Sequence, residues 1–158
     1  MNCPNCGAPL RLEDGKDFLT CDYCKNVVVP DRNDDGIRPL GVPSDLSCPV
    51  CAVLMVVADV AGERVQYCEH CKGLLISMDA LLGVTDELRA RHGEHSAIGP
   101  RPDPKELERR IDCPKCHQQM DTHFYEGSGN IVIDDCERCC LDWLDQGELM
   151  RIARAPGA

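Results

Sequence analysis

Large side chains are scarce in this chain. Two Phe, three Tyr and one Trp make up 4% of 158 residues, too few to build the core of a domain of this length in the ordinary way. Long apolar runs are missing as well, so no membrane-spanning helix is predicted. The chain opens Met1-Asn2-Cys3 with neither a basic stretch nor an apolar h-region, which predicts no secretory signal and a cytoplasmic location. Positive charge is in deficit: 17 Lys and Arg stand against 27 Asp and Glu, for a formal net charge of -10. That balance works against sequence-independent nucleic-acid binding, which rests on Lys and Arg neutralising phosphates. It suits a basic or neutral protein surface, or simply maintains solubility.

What the chain has instead is thirteen cysteines. In a reducing compartment such density points to metal rather than to disulfides. Twelve of them fall into six C-x-x-C pairs: Cys3/Cys6, Cys21/Cys24, Cys48/Cys51, Cys68/Cys71, Cys113/Cys116 and Cys136/Cys139. The first, third and fifth pairs read CPNC, CPVC and CPKC, a proline signature the others lack. Opening and closing pairs therefore alternate, which defines three units.

The gaps within the units are 14, 16 and 19 residues, room for two short strands and a turn. Turn signals fall at Asp14-Gly15, Ala61-Gly62 and Gly127-Ser128-Gly129, between runs with strand character. Each unit thus reads as a β-hairpin with a cysteine pair at each side of its base. Folding the hairpin would close a four-thiolate shell, the donor set of structural zinc. An isolated hairpin is marginal in water, whereas structural zinc contributes roughly 10 to 16 kcal/mol in small fingers. The expected cofactor is therefore three zinc ions, ligated by the twelve paired cysteines. Three such centres would take the charge to about -16.

Iron fits the same shell, as in rubredoxin-like sites. Iron-sulfur clusters use tighter cysteine runs, and thioredoxin-like redox chemistry needs a βαβ pattern that is absent. A shell of four thiolates leaves no open position for activated water, so no enzyme activity is expected. His70, His92, His95, His117 and His123 are read as surface or supporting groups rather than ligands, since every shell is already full.

The fold class is therefore small, metal-stabilised and mainly β: three tandem zinc ribbons, with short helices after units two and three. Ribbon one spans 1–30 and a Pro, Gly and Asp rich linker 31–47. Ribbon two with its helix spans 48–92, and a second linker 93–103. A short helix, ribbon three and a C-terminal helix span 104–158. Ser77 is placed to cap a helix with Asp79 in its first turn, and Ile76 and Leu81 to staple it. A further helical stretch is expected from Thr85 to Gly93. Asp103 with Pro104 marks the short helix, read as a solvated spacer. Asp145 is the expected cap of the last helix, with Glu148 reaching back and Leu144 and Leu149 as staple. Trp143 is expected to pack over a metal knuckle or hairpin.

The segment CPKC followed by CERCCLDWLDQGEL resembles the transcription-factor zinc-finger family, whose ribbons are similar to that of general transcription factor IIB. Its closing pattern, C-x-x-C-x-G-x-W-L-D-x-G-E-L, is matched by Cys136, Cys139, Trp143, Leu144, Asp145, Gly147, Glu148 and Leu149, with Leu141 where glycine is expected. Unit two keeps that glycine as Gly73 and has Leu75-Ile76-Ser77 in place of Trp-Leu-Asp. Unit one has Asn26 at the glycine position. If that position is left-handed, Asn26 is a mild change and Leu141 a costly one. The resemblance implies zinc binding and contact with the transcription machinery, RNA polymerase included.

Three function classes follow. The favoured one is a non-enzymatic zinc-ribbon adaptor or regulator acting through a protein partner, by strand addition to exposed hairpin edges. A nucleic-acid-binding ribbon is the second, with Arg109-Arg110 and Arg151 with Arg154 as small basic clusters. Zinc buffering or redox sensing through the unpaired Cys140 is the third; against it stands Cys140 as a buried small hydrophobe.

Overall fold

The computed structural model describes residues 1–93, 101–125 and 130–155. Of the segments read above, the Gly127-Ser128-Gly129 turn, His95 and most of the second linker lie outside these residues. Unit one folds as a hairpin of β1 (Leu10–Leu12) and β2 (Leu19–Cys21), with Gly15 at φ +72° in the turn, extended by a short β3 (Val27–Val28). The three strands form a separate small sheet in the order β1-β2-β3.

Units two and three share one sheet. Strands β4 (Ile37–Ser47), β5 (Leu54–Val60), β6 (Glu63–Tyr67) and β7 (Leu74–Ser77) lead into α1 (Met78–His92). After α2 (Pro104–Glu108) come β8 (Asp121–Phe124), β9 (Val132–Cys136), β10 (Leu141–Leu144) and α3 (Glu148–Arg154). The order is β4-β5-β6-β7-β10-β9-β8.

The strand that follows each closing knuckle joins the two units. β7 and β10 are antiparallel, with Leu75 opposite Trp143 and the pairs Leu74–Leu144 and Ile76–Asp142 on either side. Counting from the closing cysteines, Leu75 and Trp143 occupy equivalent positions. The two units are therefore related by an approximate two-fold axis through this pair. Helices α1 and α3 lie on one face of the joint sheet. Leu74, Ile76, Leu81, Val84 and Leu88 from unit two cluster there with Leu144, Leu149, Ile152 and Ala153 from unit three. Arg89 donates to the Ala153 carbonyl at 3.1 Å, satisfying the end of α3 with a cation where the helix dipole favours one.

Three expectations need correction. The 31–47 segment is not simply a connection, because residues 37–47 form the longest strand, β4, on the sheet edge. Pro39 and Pro43 made it look like a linker. An edge strand tolerates proline on its unpaired side, and the register shifts between Pro39 and Val42 and between Pro43 and Ser47 absorb the rest. The helical stretch expected from Thr85 is the second half of α1, one continuous helix ending at Gly93 (φ +73°), with Ser77 accepting from the Ala80 amide at 3.2 Å at its start. Asp145 does not cap α3. The helix begins after Gly147, at φ +84°, and only the reciprocal bond forms: the Asp145 amide donates to Glu148 at 2.7 Å.

Candidate metal centres

Each C-x-x-C turn is built the same way. The residue after the second cysteine is left-handed in all six: Gly7, Lys25, Ala52, Lys72, His117 and Cys140, with φ between +53° and +75°. In five of them its amide donates to the carbonyl of the first cysteine at 2.8 to 2.9 Å. In the sixth, Cys140 donates instead to the Glu137 carbonyl at 3.3 Å. This tight loop points both sulfurs the same way, and amides are drawn to them: Val50 and Cys51 approach Cys48 Sγ at 3.4 Å, and Cys71 approaches Cys68 Sγ at 3.5 Å.

Hairpin pairing then sets two such turns face to face. Three groups result: Cys3, Cys6, Cys21 and Cys24; Cys48, Cys51, Cys68 and Cys71; Cys113, Cys116, Cys136 and Cys139. Within each, all four sulfurs lie within 4.8 Å of one another. Resolved Sγ···Sγ separations include 3.6 Å for Cys3–Cys24, 3.5 Å for Cys6–Cys21, 3.6 Å for Cys48–Cys71 and 3.6 Å for Cys116–Cys136. No cysteine is in a disulfide. A tetrahedral shell with metal–sulfur bonds of about 2.3 Å has an edge of about 3.8 Å, so the groups fit one ion each. Such an ion would cross-link the two turns of its hairpin.

The thiols of one group also lie close enough to shift one another. In the third group, partial burial and the neighbouring thiols Cys116, Cys113 and Cys136 push Cys139 up to about 12. Cys116 falls to about 7, drawn down by the Gln118 amide and by its neighbours. Thiols this close titrate together rather than singly, and a metal ion binds their deprotonated forms.

The second and third centres are packed together. Cys48, Cys68, Cys113 and Cys136 are buried in one cluster with Met55, Leu75, Ile111, Met120 and Trp143, on the sheet face opposite α1 and α3. Trp143 has no exposed surface, and its Nε1 donates to Asp145 Oδ1 at 3.1 Å. Its ring lies over Gly73, where an added Cβ would sit 2.1 Å from Cζ2.

That contact corrects the reading of the glycine position. The left-handed residue is the preceding one, Lys25, Lys72 or Cys140, and neither Asn26 nor Leu141 has positive φ. Gly73 instead makes room for the tryptophan of the neighbouring unit. By the two-fold relation Leu141 faces Leu75, a smaller side chain, and the larger residue fits. Trp143 with Gly73 on one side thus balances Leu75 with Leu141 on the other.

Cys140 is exposed rather than buried. His70, His92 and His117 are exposed and stand outside the thiol groups. Sequence reasoning missed the role of Arg109, placed in a solvated spacer. Its guanidinium joins the fully buried Asp134 to Asp145, the latter at 2.6 Å, and Thr122 also donates to Asp134. The paired ERR in the sequence gives no sign that only one arginine turns inward.

These features define a small mainly β protein with three zinc-ribbon-like four-cysteine sites. No family model matches the chain, and no curated protein or solved structure is significantly similar to it. No helix among the described residues is long and apolar enough to cross a membrane.

Proposed function

We propose that the protein is a non-enzymatic zinc-binding adaptor or regulator that recruits a protein partner through its first ribbon, with RNA polymerase or another transcription component as the partner class. Zinc is favoured over iron at all three centres by the ribbon spacing.

The observation that carries the reading is an unpaired edge. In units two and three the strand after the closing knuckle finds its counterpart, as β7 against β10. The equivalent strand of unit one, β3, pairs only with β2 and lies at the edge of its sheet. Around it Tyr23 is 85% exposed, Val27 52% and Val29 55%. An open strand edge flanked by apolar side chains suits strand addition by a partner. The transcription assignment rests on the resemblance of Cys136 to Leu149 alone. Nucleic-acid contact has less support, because Arg109, one of the few clustered cations, is spent on Asp134 and Asp145.

The test is capture by the zinc-loaded protein against Val27→Pro. The Cys21 amide bonds the Asn26 carbonyl, so by strand alternation the Val27 amide points away from β2. Proline there blocks an added strand and spares the hairpin. Purified RNA polymerase is the first bait to try. Binding that is lost in Val27→Pro and weakened in Tyr23→Ala, with three zinc ions retained, supports the reading. Equal binding by parent and variants, or no partner at all, refutes it.

A further inference from the structure

The approximate two-fold axis makes each of the two fused units a control for the other. On the helix-covered face, unit two places Val56, Tyr67 and Leu74 directly opposite one another across β5, β6 and β7. The equivalent row of unit three, across β8, β9 and β10, is Asp121, Asp135 and Asp142. Three apolar side chains in one copy are three carboxylates in the other. Like charges directly opposite each other weaken a sheet, so this row calls for a cation.

The protein fills part of that need. His123, two residues along β8 from Asp121, contacts Oδ2 of Asp135 through Nε2, and its Nδ1 lies 2.8 Å from the Phe124 carbonyl. The remainder is open. Asp142 is 5% exposed, and no hydrogen-bond donor among the described residues reaches its carboxylate. Oδ1 of Asp135 is buried without a partner. Arg109 serves Asp134 and Asp145 instead. Burial, and then the charge of Asp135, raise the Asp142 carboxyl to about 6, and the charge of His123 opposes the rise only in part.

We propose that Asp142 and the free oxygen of Asp135, with Asp121 at the open end of the row, hold a hard divalent cation, Mg2+ or Mn2+. The free donors are all carboxylate oxygens, which such ions prefer, and both histidine nitrogens are engaged. Only the cysteine groups bring three donor atoms within 4.8 Å among the described residues. The aspartate row is wider, which fits an ion that keeps several of its waters and uses one or two carboxylates. The cation ties the edge strand β8 to β9 and β10, a second and oxygen-ligated fastening beside the thiolate one.

Mn2+ is the probe, because it stands lowest in the divalent affinity order and does not displace zinc from thiolates. The full chain, loaded with zinc, is titrated with Mn2+ and free Mn2+ is followed by electron paramagnetic resonance. One Mn2+ per chain is expected. Asp142→Asn should weaken it by at least about tenfold and Asp121→Asn, at an exposed position, by about threefold, with the zinc count unchanged. Asp79→Asn, on α1 outside the row, should match the parent. In thermal melts Mn2+ should raise the midpoint of the parent more than that of Asp121→Asn, which keeps the test intact if Asp142→Asn folds poorly. Absence of Mn2+ binding at millimolar concentration, or equal affinity in the parent and both row variants, overturns the proposal.

Discussion

Substituting Gly73 by alanine adds one methyl group where the structure has no place for it. The new Cβ would lie 2.1 Å from Cζ2, 2.6 Å from Cη2 and 3.0 Å from Cε2 of Trp143, well inside ordinary contact. The tryptophan has no exposed surface and its Nε1 is tied to Asp145, so the ring must shift by more than about 1 Å within a packed cluster. Overpacking of this kind costs about 1 to 3 kcal/mol. If the ring is expelled altogether, the cost approaches that of deleting a buried tryptophan, about 3 to 5 kcal/mol. The assay is denaturant unfolding of the zinc-saturated protein, followed by the fluorescence of this single tryptophan. Two comparisons isolate the cause. Gly83→Ala, on α1 with nothing within 4 Å of the added carbon, should be neutral or stabilising by up to about 1 kcal/mol. Trp143→Leu in the Gly73→Ala background should cost less than in the parent, a coupling of at least about 1 kcal/mol in the double-mutant cycle. A Gly73→Ala protein within about 0.5 kcal/mol of the parent, or a cycle that closes additively, would refute the packing argument.

Other outcomes follow from the same contacts. Arg109→Met leaves Asp134 fully buried without its cation and should destabilise by about 3 kcal/mol in denaturant melts, with Asp134→Asn in the same background recovering part of the loss. Burial raises the Glu148 carboxyl to about 8, against the pull of the Asp145 amide. A carboxyl raised in the folded state binds more protons there than when unfolded, so its contribution is complete below the unfolded value near 4.5 and is lost as pH rises through about 8. Glu148→Gln should therefore flatten the fall in melting temperature between about pH 6 and 8.5, measured with zinc content held constant. Cys6→Ser should release metal from unit one and leave Trp143 fluorescence native, because its sheet is separate. Cys116→Ser should disturb Trp143 directly, because the cluster around the ring includes cysteines of both fused units.

What could be read from the chain is what depends on short-range spacing. The C-x-x-C turns, the Ser77 cap and the Gly93 stop are settled within a few residues, by ligand geometry or helix-end chemistry, and the hairpin pairing of the turns within fewer than twenty. What escaped reading depends on who sits across the sheet. β4 looked like a linker because Pro39, Gly41 and Pro43 are punctuation in isolation, and only its edge position next to β5 makes them harmless. The residues of β7 and β10 were read as the lead-in to two separate helices, and their meeting at Leu75 and Trp143 has no local signal. Gly73 and Leu141 were read through backbone conformation, whereas the neighbouring unit's side chain decides both. The aspartates of β8, β9 and β10 fall into one row only when the register is known.

The central claim is that three four-thiolate zinc centres hold this chain together. Native mass spectrometry of the freshly purified protein tests it most directly, since one spectrum gives metal identity, metal count and oligomeric state. The account predicts a folded species carrying three zinc ions, which shifts to the broad, highly charged distribution of an unfolded chain when a chelator removes them. A compact metal-free species, a count other than three, or iron in place of zinc would contradict it.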